Sequence, residues 1–172
     1  TGYGATYMLQ NMLALRKEGI AGKKVVISGS GNVAQRAAEK VAALGGKVLT
    51  LSDSSGFVYD PKGIKGEKLE YIKALKNDDR GRISSYARKF KVQFHKGKRP
   101  WGVPCDVAMP CATQNEVSAE DAKTLIANGC EAVVEGANMP TEQAAVQLFQ
   151  AARMPFAPGK AANAGGVAVS GL

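Results

Sequence analysis

The chain has 172 residues, of which 45% are hydrophobic and 22% are charged, values typical of one globular domain. No apolar stretch approaches the roughly 20 residues that a membrane-spanning helix needs, so membrane and disordered classes are excluded. With 23 Lys and Arg against 15 Asp and Glu, the formal charge of +8 raises the possibility of nucleic-acid binding.

The first residues and the cysteines indicate the setting of the domain. The chain opens at Thr1 with no initiator Met and no signal-peptide pattern, so we expect it to be a piece of a longer protein. Cys105, Cys111 and Cys130 are odd in number and lack metal-ligand spacing. This pattern favours buried free thiols in a reducing cytoplasm and predicts no metal site.

Hydrophobic periodicity predicts the elements of the first part of the chain. Apolar residues at helical spacing predict a helix over 5–18, with a glycine stop at Gly19. A strand over 24–28, a helix over 32–44 ending at Gly45 and a strand over 47–51 then form one βαβ unit.

The segment 57–101 is polar and rich in Lys and Arg, with helical patterns near 67–75 and 82–90, and we expect it to be a peripheral excursion. Alternation then resumes with a strand over 106–109, a helix over 118–128, a strand over 132–135, a helix over 141–152 and an apolar step over 154–157. Ser118 and Thr141 are predicted to cap their helices. The order predicts an α/β fold, a doubly wound and mostly parallel sheet of the Rossmann type.

The sequence VVISGSGNVA over 25–34 predicts a strand, a glycine turn and a helix start. Gly29 permits a tight turn, Gly31 lets the backbone approach a pyrophosphate, and the small Ala34 lets the helix pack on the strand. The free N–H groups of the helix start would face the anion. The motif therefore predicts dinucleotide binding, with an ordinary βα turn as the alternative.

Polar or small residues follow each of the predicted strands, where an open α/β sheet binds its ligand. The successive segments are GSGNVA, SDSSG, PCATQN over 110–115, EGANMP over 135–140 and PGKAANAGGVAVS over 158–170. Five such strand ends favour a long polar ligand lying across the edge of the sheet.

Together with TGYGAT at the start, these segments resemble the cofactor-binding domain of hexameric glutamate dehydrogenases, in the same order and over essentially residues 1–172. The resemblance implies reversible oxidative deamination of L-glutamate to 2-oxoglutarate and ammonium by hydride transfer to a nicotinamide cofactor. It also implies a cytoplasmic homohexamer with neither membrane nor nucleic-acid partners.

The resemblance also implies site residues. Thr1, Asn138 and Asn163 match contacts to the nicotinamide end, and Thr113 and Gln114 would line the cofactor cleft. The matches to the pyrophosphate turn are Gly29, Gly31, Asn32 and Val33. Val167 and Ser170 match positions that touch glutamate itself, through its methylenes and its side-chain carboxylate, with helix packing as the alternative role.

The choice between NAD and NADP depends on the end of the second strand. Asp53 lies where an acid on the adenosine ribose would favour NAD. Ser54, Lys76 and Arg82 match the NADP-specific branch, and cations suit a 2′-phosphate, so we expect NADP with NAD less favoured. One family arginine aligns with Asp79, and Arg80 is displaced by one residue.

The family's catalytic lysine and aspartate lie on a separate substrate domain, so we assign no catalytic residue here and expect the chain alone to bind cofactor without turnover. A branched-chain or aromatic amino-acid dehydrogenase, or a non-catalytic dinucleotide-binding module, are the alternatives. The basic run 89–99 could bind nucleic acid, but its alternating Phe residues fit an edge strand at least as well.

Overall fold

The computed structural model describes residues 2–15 and 17–159, and in that part of the chain seven strands form one sheet in the order β4-β3-β2-β1-β5-β6-β7. The strands are β1 (Lys24–Ile27), β2 (Lys47–Asp53), β3 (Gly56–Tyr59), β4 (Gln93–Lys96), β5 (Val107–Met109), β6 (Ala132–Val134) and β7 (Phe156–Ala157). Strands β2, β1, β5, β6 and β7 run parallel, whereas β3 and β4 are antiparallel additions.

The described chain has six α-helices, of which the first precedes β1 and the others lie between strands. They are α1 (Gly2–Ala14), α2 (Asn32–Ala43), α3 (Glu67–Lys73), α4 (Ser84–Phe90), α5 (Ala119–Ala127) and α6 (Gln143–Ala151). Helix α3 continues as a π-helical turn over Ala74–Asp78, and Pro100–Gly102 form a 3-10 turn. Within the described ranges, none of the helices has the length and apolarity to cross a membrane.

The sheet is covered on both faces, as a doubly wound fold requires. Val25 and Ile27 of β1 point into one apolar layer together with residues of α1 and α2, whereas Val26 points into the other. That second layer contains Leu125 of α5 and Phe149 of α6. The predicted α/β fold with a mostly parallel sheet is confirmed.

The segment 57–101, predicted as a peripheral excursion, lies at one edge of the sheet and contributes strands to it. Strand β2 runs on to Asp53 and turns through Ser54 and Ser55 directly into β3, because an antiparallel hairpin needs only a two-residue turn. Gly56, with φ +148°, closes this turn where a Cβ would lie 2.3 Å from the carbonyl oxygen of His95. The segment therefore extends the sheet by two strands, and β4 at its edge confirms the strand expected within 89–99.

The helix ends also differ from the prediction in two places. Helix α1 ends at Ala14, and the chain reverses with Lys17 at φ +59° and a hydrogen bond from the Glu18 N–H to the Leu13 carbonyl, a Schellman-type ending. Ser118 forms the expected capping box with Asp121. Thr141 does not cap α6, because its backbone bridges to Val117 and the helix begins two residues later.

Candidate cofactor-binding site

The candidate site is a cleft of about 740 Å³ at the carboxyl ends of β1, β2 and β5. Strands β1 and β5 are neighbours in the sheet. The connection after β1 leads to β2 on one side, and the connection after β5 leads to β6 on the other, so a crevice opens between the two loops. Its volume lies within the roughly 300–1,000 Å³ of ordinary ligand sites. Of the predicted cofactor residues, the cleft is lined by Gly29, Gly31, Asn32, Val33, Asp53, Ser54 and Thr113.

Gly29 begins the turn after β1, in a geometry that strongly disfavours any side chain. Its φ is +87°, and a Cβ there would lie 2.9 Å from the carbonyl oxygen of Cys111 in the loop after β5. The glycine is therefore required for the turn itself and for the close packing of two loops.

Two serines fix the glycine turn to both neighbouring strands. The Ser52 hydroxyl accepts a hydrogen bond of 2.7 Å from the Gly29 N–H, and the Ser28 hydroxyl accepts one of 3.0 Å from the Cys111 N–H. Both serines are buried. Sequence reasoning missed them as positioning residues, because their partners lie on other strands.

Gly31 and the first turn of α2 face the open cleft. A Cβ on Gly31 would have no heavy atom within 4 Å among the described residues, and no side chain accepts a hydrogen bond from the N–H groups of that turn at its N-cap. Ala34, the third small residue of the motif, is fully buried. Close backbone approach and available donors are the features that suit a pyrophosphate.

Asp53 is the centre of a hydrogen-bond cluster beside the cleft. Its carboxylate accepts hydrogen bonds from Lys76 Nζ at 2.8 Å, the Ile83 N–H at 2.7 Å, the Ser55 N–H at 2.8 Å and the Ser55 hydroxyl. A carboxylate offers about four acceptor positions. No position remains for a ribose hydroxyl.

The charge on Asp53 is stabilised by these partners. Burial raises the pKa of the Asp53 carboxyl, but the hydrogen bonds from Lys76, Ser55 and Ile83 outweigh it and hold the pKa at about 2. The Asp53 side chain is 9% exposed and that of Lys76 is 15% exposed. The ionised pair is therefore a fixed part of the structure at neutral pH.

Lys76 and Arg82 lie next to the β2–β3 turn, where they contact Asp53 and Ser54, but they are not among the described residues that line the cleft. Lys76 lies in the π-helical turn after α3 and also donates to the Gly81 carbonyl at 2.9 Å. The exposed Arg82 donates to the Ser54 hydroxyl at 2.8 Å. Arg80, the displaced cation, is exposed with φ +51° and lies outside the residues that line the cleft in the described chain.

The loop after β5 is shaped by a buried carboxylate. Glu116 accepts hydrogen bonds from the N–H groups of Ala112 at 3.0 Å and Thr113 at 2.9 Å. Burial raises the pKa of the Glu116 carboxyl, although the bonds from Ser28 and these two N–H groups oppose it. Glu116 is a second residue that sequence reasoning missed in this site.

Gln114 and Asn138 are exposed and lie outside the lining residues of the described cleft. Their loops are nevertheless joined by a hydrogen bond of 3.1 Å from the Asn115 N–H to the Met139 carbonyl. Asn115 and Met139 adopt φ of +57° and +48°, uncommon values for residues other than glycine. Both polar side chains thus stay predictions, on neighbouring loops.

Two cations in the cleft were not among the predicted site residues. Lys98 and Arg99 follow β4 and line the cleft. The Arg99 guanidinium donates to the Glu116 carbonyl at 2.8 Å, which ties the β4 end to the loop after β5. The only available signal was their position within a basic run, which by itself indicated a solvated strand.

The remaining predicted residues, Thr1, Asn163, Val167 and Ser170, lie outside the described residues. In the part of the chain that the structure describes, no group of three or more His, Cys, Asp or Glu side chains could hold a metal ion.

The comparisons with known proteins agree with this geometry. The chain is 58% identical to the NAD(P)-specific glutamate dehydrogenase of Xylanibacter ruminicola and 57% identical to the NADP-specific glutamate dehydrogenase of Haemophilus influenzae, over all 172 residues but only 39% and 38% of those proteins. A solved Plasmodium falciparum glutamate dehydrogenase matches 99% of this chain and 37% of its own, with 46% identity and a TM-score of 0.92. A family model matches residues 1–172, so the chain belongs to the glutamate/leucine/phenylalanine/valine dehydrogenase family.

Proposed function

We propose that residues 1–172 are the dinucleotide-binding domain of an NADP-dependent glutamate dehydrogenase. The full protein would interconvert L-glutamate with 2-oxoglutarate and ammonium, as a cytoplasmic homohexamer. The 54% identity to the NADP-specific glutamate dehydrogenase of Salmonella typhimurium, besides the relatives already named, supports this function. Because the chain spans well under half of such relatives, the activity belongs to the longer protein.

One observation carries the choice of NADP over NAD: the carboxylate of Asp53 is fully occupied by its own chain. An acid that binds the two hydroxyls of an NAD ribose needs a free acceptor, and Asp53 accepts four hydrogen bonds already. Its partner Lys76 and the neighbouring Arg82 bring cations to the Ser54 turn, where a 2′-phosphate with nearly two negative charges would bind.

The other predicted residues have complementary roles in this proposal. The N–H groups of Asn32 and Val33 would bind the pyrophosphate, with Gly29 and Gly31 permitting its approach. At the nicotinamide end, the polar contacts would come from Thr1, Thr113, Gln114, Asn138 and Asn163. Val167 and Ser170 would contact the substrate carbon chain and its distal carboxylate.

The bound cofactor would supply the hydride acceptor for the Cα–H bond of glutamate, or the hydride in the reverse direction. No described residue is assigned as the general acid or base. Asp53 is saturated with hydrogen bonds, and Glu135 accepts from the N–H groups of Thr141 and Gly159, so both carboxylates serve the fold. We therefore expect this chain alone to bind NADPH and to catalyse nothing.

Steady-state assays of the full-length protein test the proposal. L-Glutamate, L-leucine, L-phenylalanine and L-valine would each be assayed with NADP⁺ and with NAD⁺. The proposal requires the highest kcat/KM for glutamate with NADP⁺. A preference for one of the other amino acids would indicate another dehydrogenase, and cofactor binding without turnover of any of them would indicate a non-catalytic module.

A further inference from the structure

Cys105 and Cys130 lie side by side at the amino ends of two neighbouring strands. Each precedes its strand by two residues, and the strands pair in register at Val107 and Ala132. Between the cysteines and these residues, the Glu131 N–H donates to the Asp106 carbonyl at 2.7 Å, which fixes the two backbones together. Paired strands lie about 4.8 Å apart, within the roughly 4.4–6.8 Å that a disulfide spans between Cα atoms.

The two side chains also lie in the same apolar layer, the one formed with α5 and α6. The Cys130 thiol donates a hydrogen bond of 3.3 Å to the Ala132 carbonyl within that layer. The neighbouring Cys105 side chain lowers the pKa of the Cys130 thiol, and Cys130 together with burial raises the pKa of Cys105. Cys130 is thus the thiol that ionises first and attacks first.

A surface cleft borders Cys130, one member of this pair. It has a volume of about 580 Å³ and is lined by Cys130 together with residues of the α5 end and the α6–β7 connection. Cys111, the third thiol, lies at the opposite end of β5 and is packed against Gly136. It cannot bridge to either member of the pair without a large movement of the backbone.

We propose that Cys105 and Cys130 form a dithiol site that a low-molecular-mass disulfide oxidises to an intramolecular disulfide. The Cys130 thiolate attacks one sulfur of the oxidant, which forms a mixed disulfide and releases one thiolate. Cys105 loses its proton and attacks Sγ of Cys130, and the second oxidant thiol leaves. The two cysteines together lose two electrons and two protons, and the oxidant is reduced to two thiols.

Because of its position, oxidation of the dithiol site is not expected to change cofactor binding. The pair lies at the amino ends of β5 and β6, whereas the cofactor cleft lies at the carboxyl ends of the strands. The bond would close a loop of about 25 residues and restrict the unfolded chain. Oxidation is therefore expected to raise Tm by several degrees and to leave the affinity for NADPH unchanged.

Peptide mapping of the full-length protein after treatment with 2-hydroxyethyl disulfide tests the inference. Trypsin leaves Cys105 and Cys111 on one peptide, but additional cleavage before Asp106 separates them. The expected product is a cross-linked peptide pair that contains Cys105 and Cys130, lacks two hydrogen atoms and disappears on reduction. Its formation should survive in the Cys111→Ala variant and be lost in Cys130→Ala.

Two results would overturn the inference. One is a folded protein in which both thiols stay reduced, or carry only mixed disulfides, after prolonged oxidation. The other is a cross-link that forms only under denaturing conditions, which would mean that the native geometry does not support the bond. A bond between Cys105 and Cys130 formed in the native protein, with the rise in Tm, supports it.

Discussion

Gly29 and Gly31 are separated by one residue but are constrained by different neighbours. Gly29 has a positive φ and faces the Cys111 carbonyl, whereas Gly31 has φ −81° and faces open space. Of these two positions, the fold requires a glycine only at position 29. We propose that the glycine at position 31 is required by the bound cofactor.

Alanine at each position separates these roles. Gly29→Ala should lower the free energy of unfolding by at least about 1–2 kcal/mol, because the backbone is left-handed and the Cβ meets a carbonyl. Gly31→Ala should cost less than about 1 kcal/mol, the difference between the two residues at an N-cap, but weaken NADPH binding at least about tenfold. Urea unfolding and calorimetry measure the two effects. Unchanged affinity in Gly31→Ala would place the pyrophosphate elsewhere.

Asp53 predicts a dependence of stability on pH. Its pKa is about 2 in the folded chain and roughly 3.9 in an unfolded one, so the folded state favours the ionised form. The resulting stabilisation, on the order of 2 kcal/mol, is fully present above about pH 5 and is lost as the pH falls toward 2.

Urea unfolding between pH 7 and pH 2 measures this stabilisation against the Asp53→Asn variant, which does not titrate. The difference in free energy of unfolding between the two proteins should be constant from pH 7 to about pH 5 and then narrow as the pH falls through the range between the two pKa values. A difference that is the same at pH 2 and pH 7 would contradict the assigned ion pair.

At the scale of elements, the parallel part of the sheet could be predicted because its strands carry their own signal. Residues such as Val25, Val26 and Ile27 form an apolar run buried on both faces, and glycines mark where the helices end. The β2–β3 hairpin could not be predicted as readily. Its Ser54-Ser55 turn lacks the Asn-Gly or Asp-Gly signal, and β3 has only four residues.

Helix α4 is fixed to this antiparallel extension by a buried network. The Tyr86 hydroxyl donates to Asp60 at 2.6 Å, and Lys68 pairs with the same carboxylate at 2.9 Å. Burial and the neighbouring Asp60 raise the pKa of Tyr86, so it remains a donor at neutral pH. The N–H before α4, that of Ile83, donates to Asp53, so α4 and the residue before it contact both Asp60 and Asp53.

Tyr86→Phe should therefore lower the free energy of unfolding by about 1–3 kcal/mol, since a buried carboxylate loses a donor. Tyr71→Phe is the matched control: its ring packs on Tyr86 and Phe90, but its hydroxyl has no hydrogen bond to the described residues. That variant should stay within about 0.5 kcal/mol of the wild type. Chemical denaturation measures both, and equal losses would refute the role of the Asp60 bond.

In the whole molecule, the cofactor cleft combines residues of the parallel βαβ unit with residues of the antiparallel extension. The βαβ unit supplies the glycine turn, and the motif predicted it because all its parts are consecutive in sequence. The antiparallel extension supplies Lys98 and Arg99 to the same cleft. No local pattern links these cations to Gly31, because only the pairing of β4 with β3 brings them there.

Part of the excess of basic residues is located at or beside the cofactor cleft. Lys98 and Arg99 line the cleft, and Lys76 and Arg82 contact Asp53 and Ser54 of its lining. Such a cluster attracts an anionic ligand, and this attraction is stronger at low ionic strength. The formal charge of +8 is therefore consistent with a phosphate-rich cofactor.

We expect the Ser54 turn, with Lys76 and Arg82, to select a 2′-phosphate. Calorimetric titration of the full-length protein with NADPH and with NADH at low salt tests it most directly. The variant carries Lys76→Ala plus Arg82→Ala, and a charge-matched control carries Lys65→Ala plus Arg88→Ala on exposed positions away from the cleft.

We predict that the wild type and the control bind NADPH more tightly than NADH, and that the variant loses this preference. The loss should be at least about tenfold, because hydrogen bonds to charged groups contribute about 1.5–3 kcal/mol each. Equal affinities for NADPH and NADH in the wild type, or an NADPH preference that survives in the variant, would contradict the account.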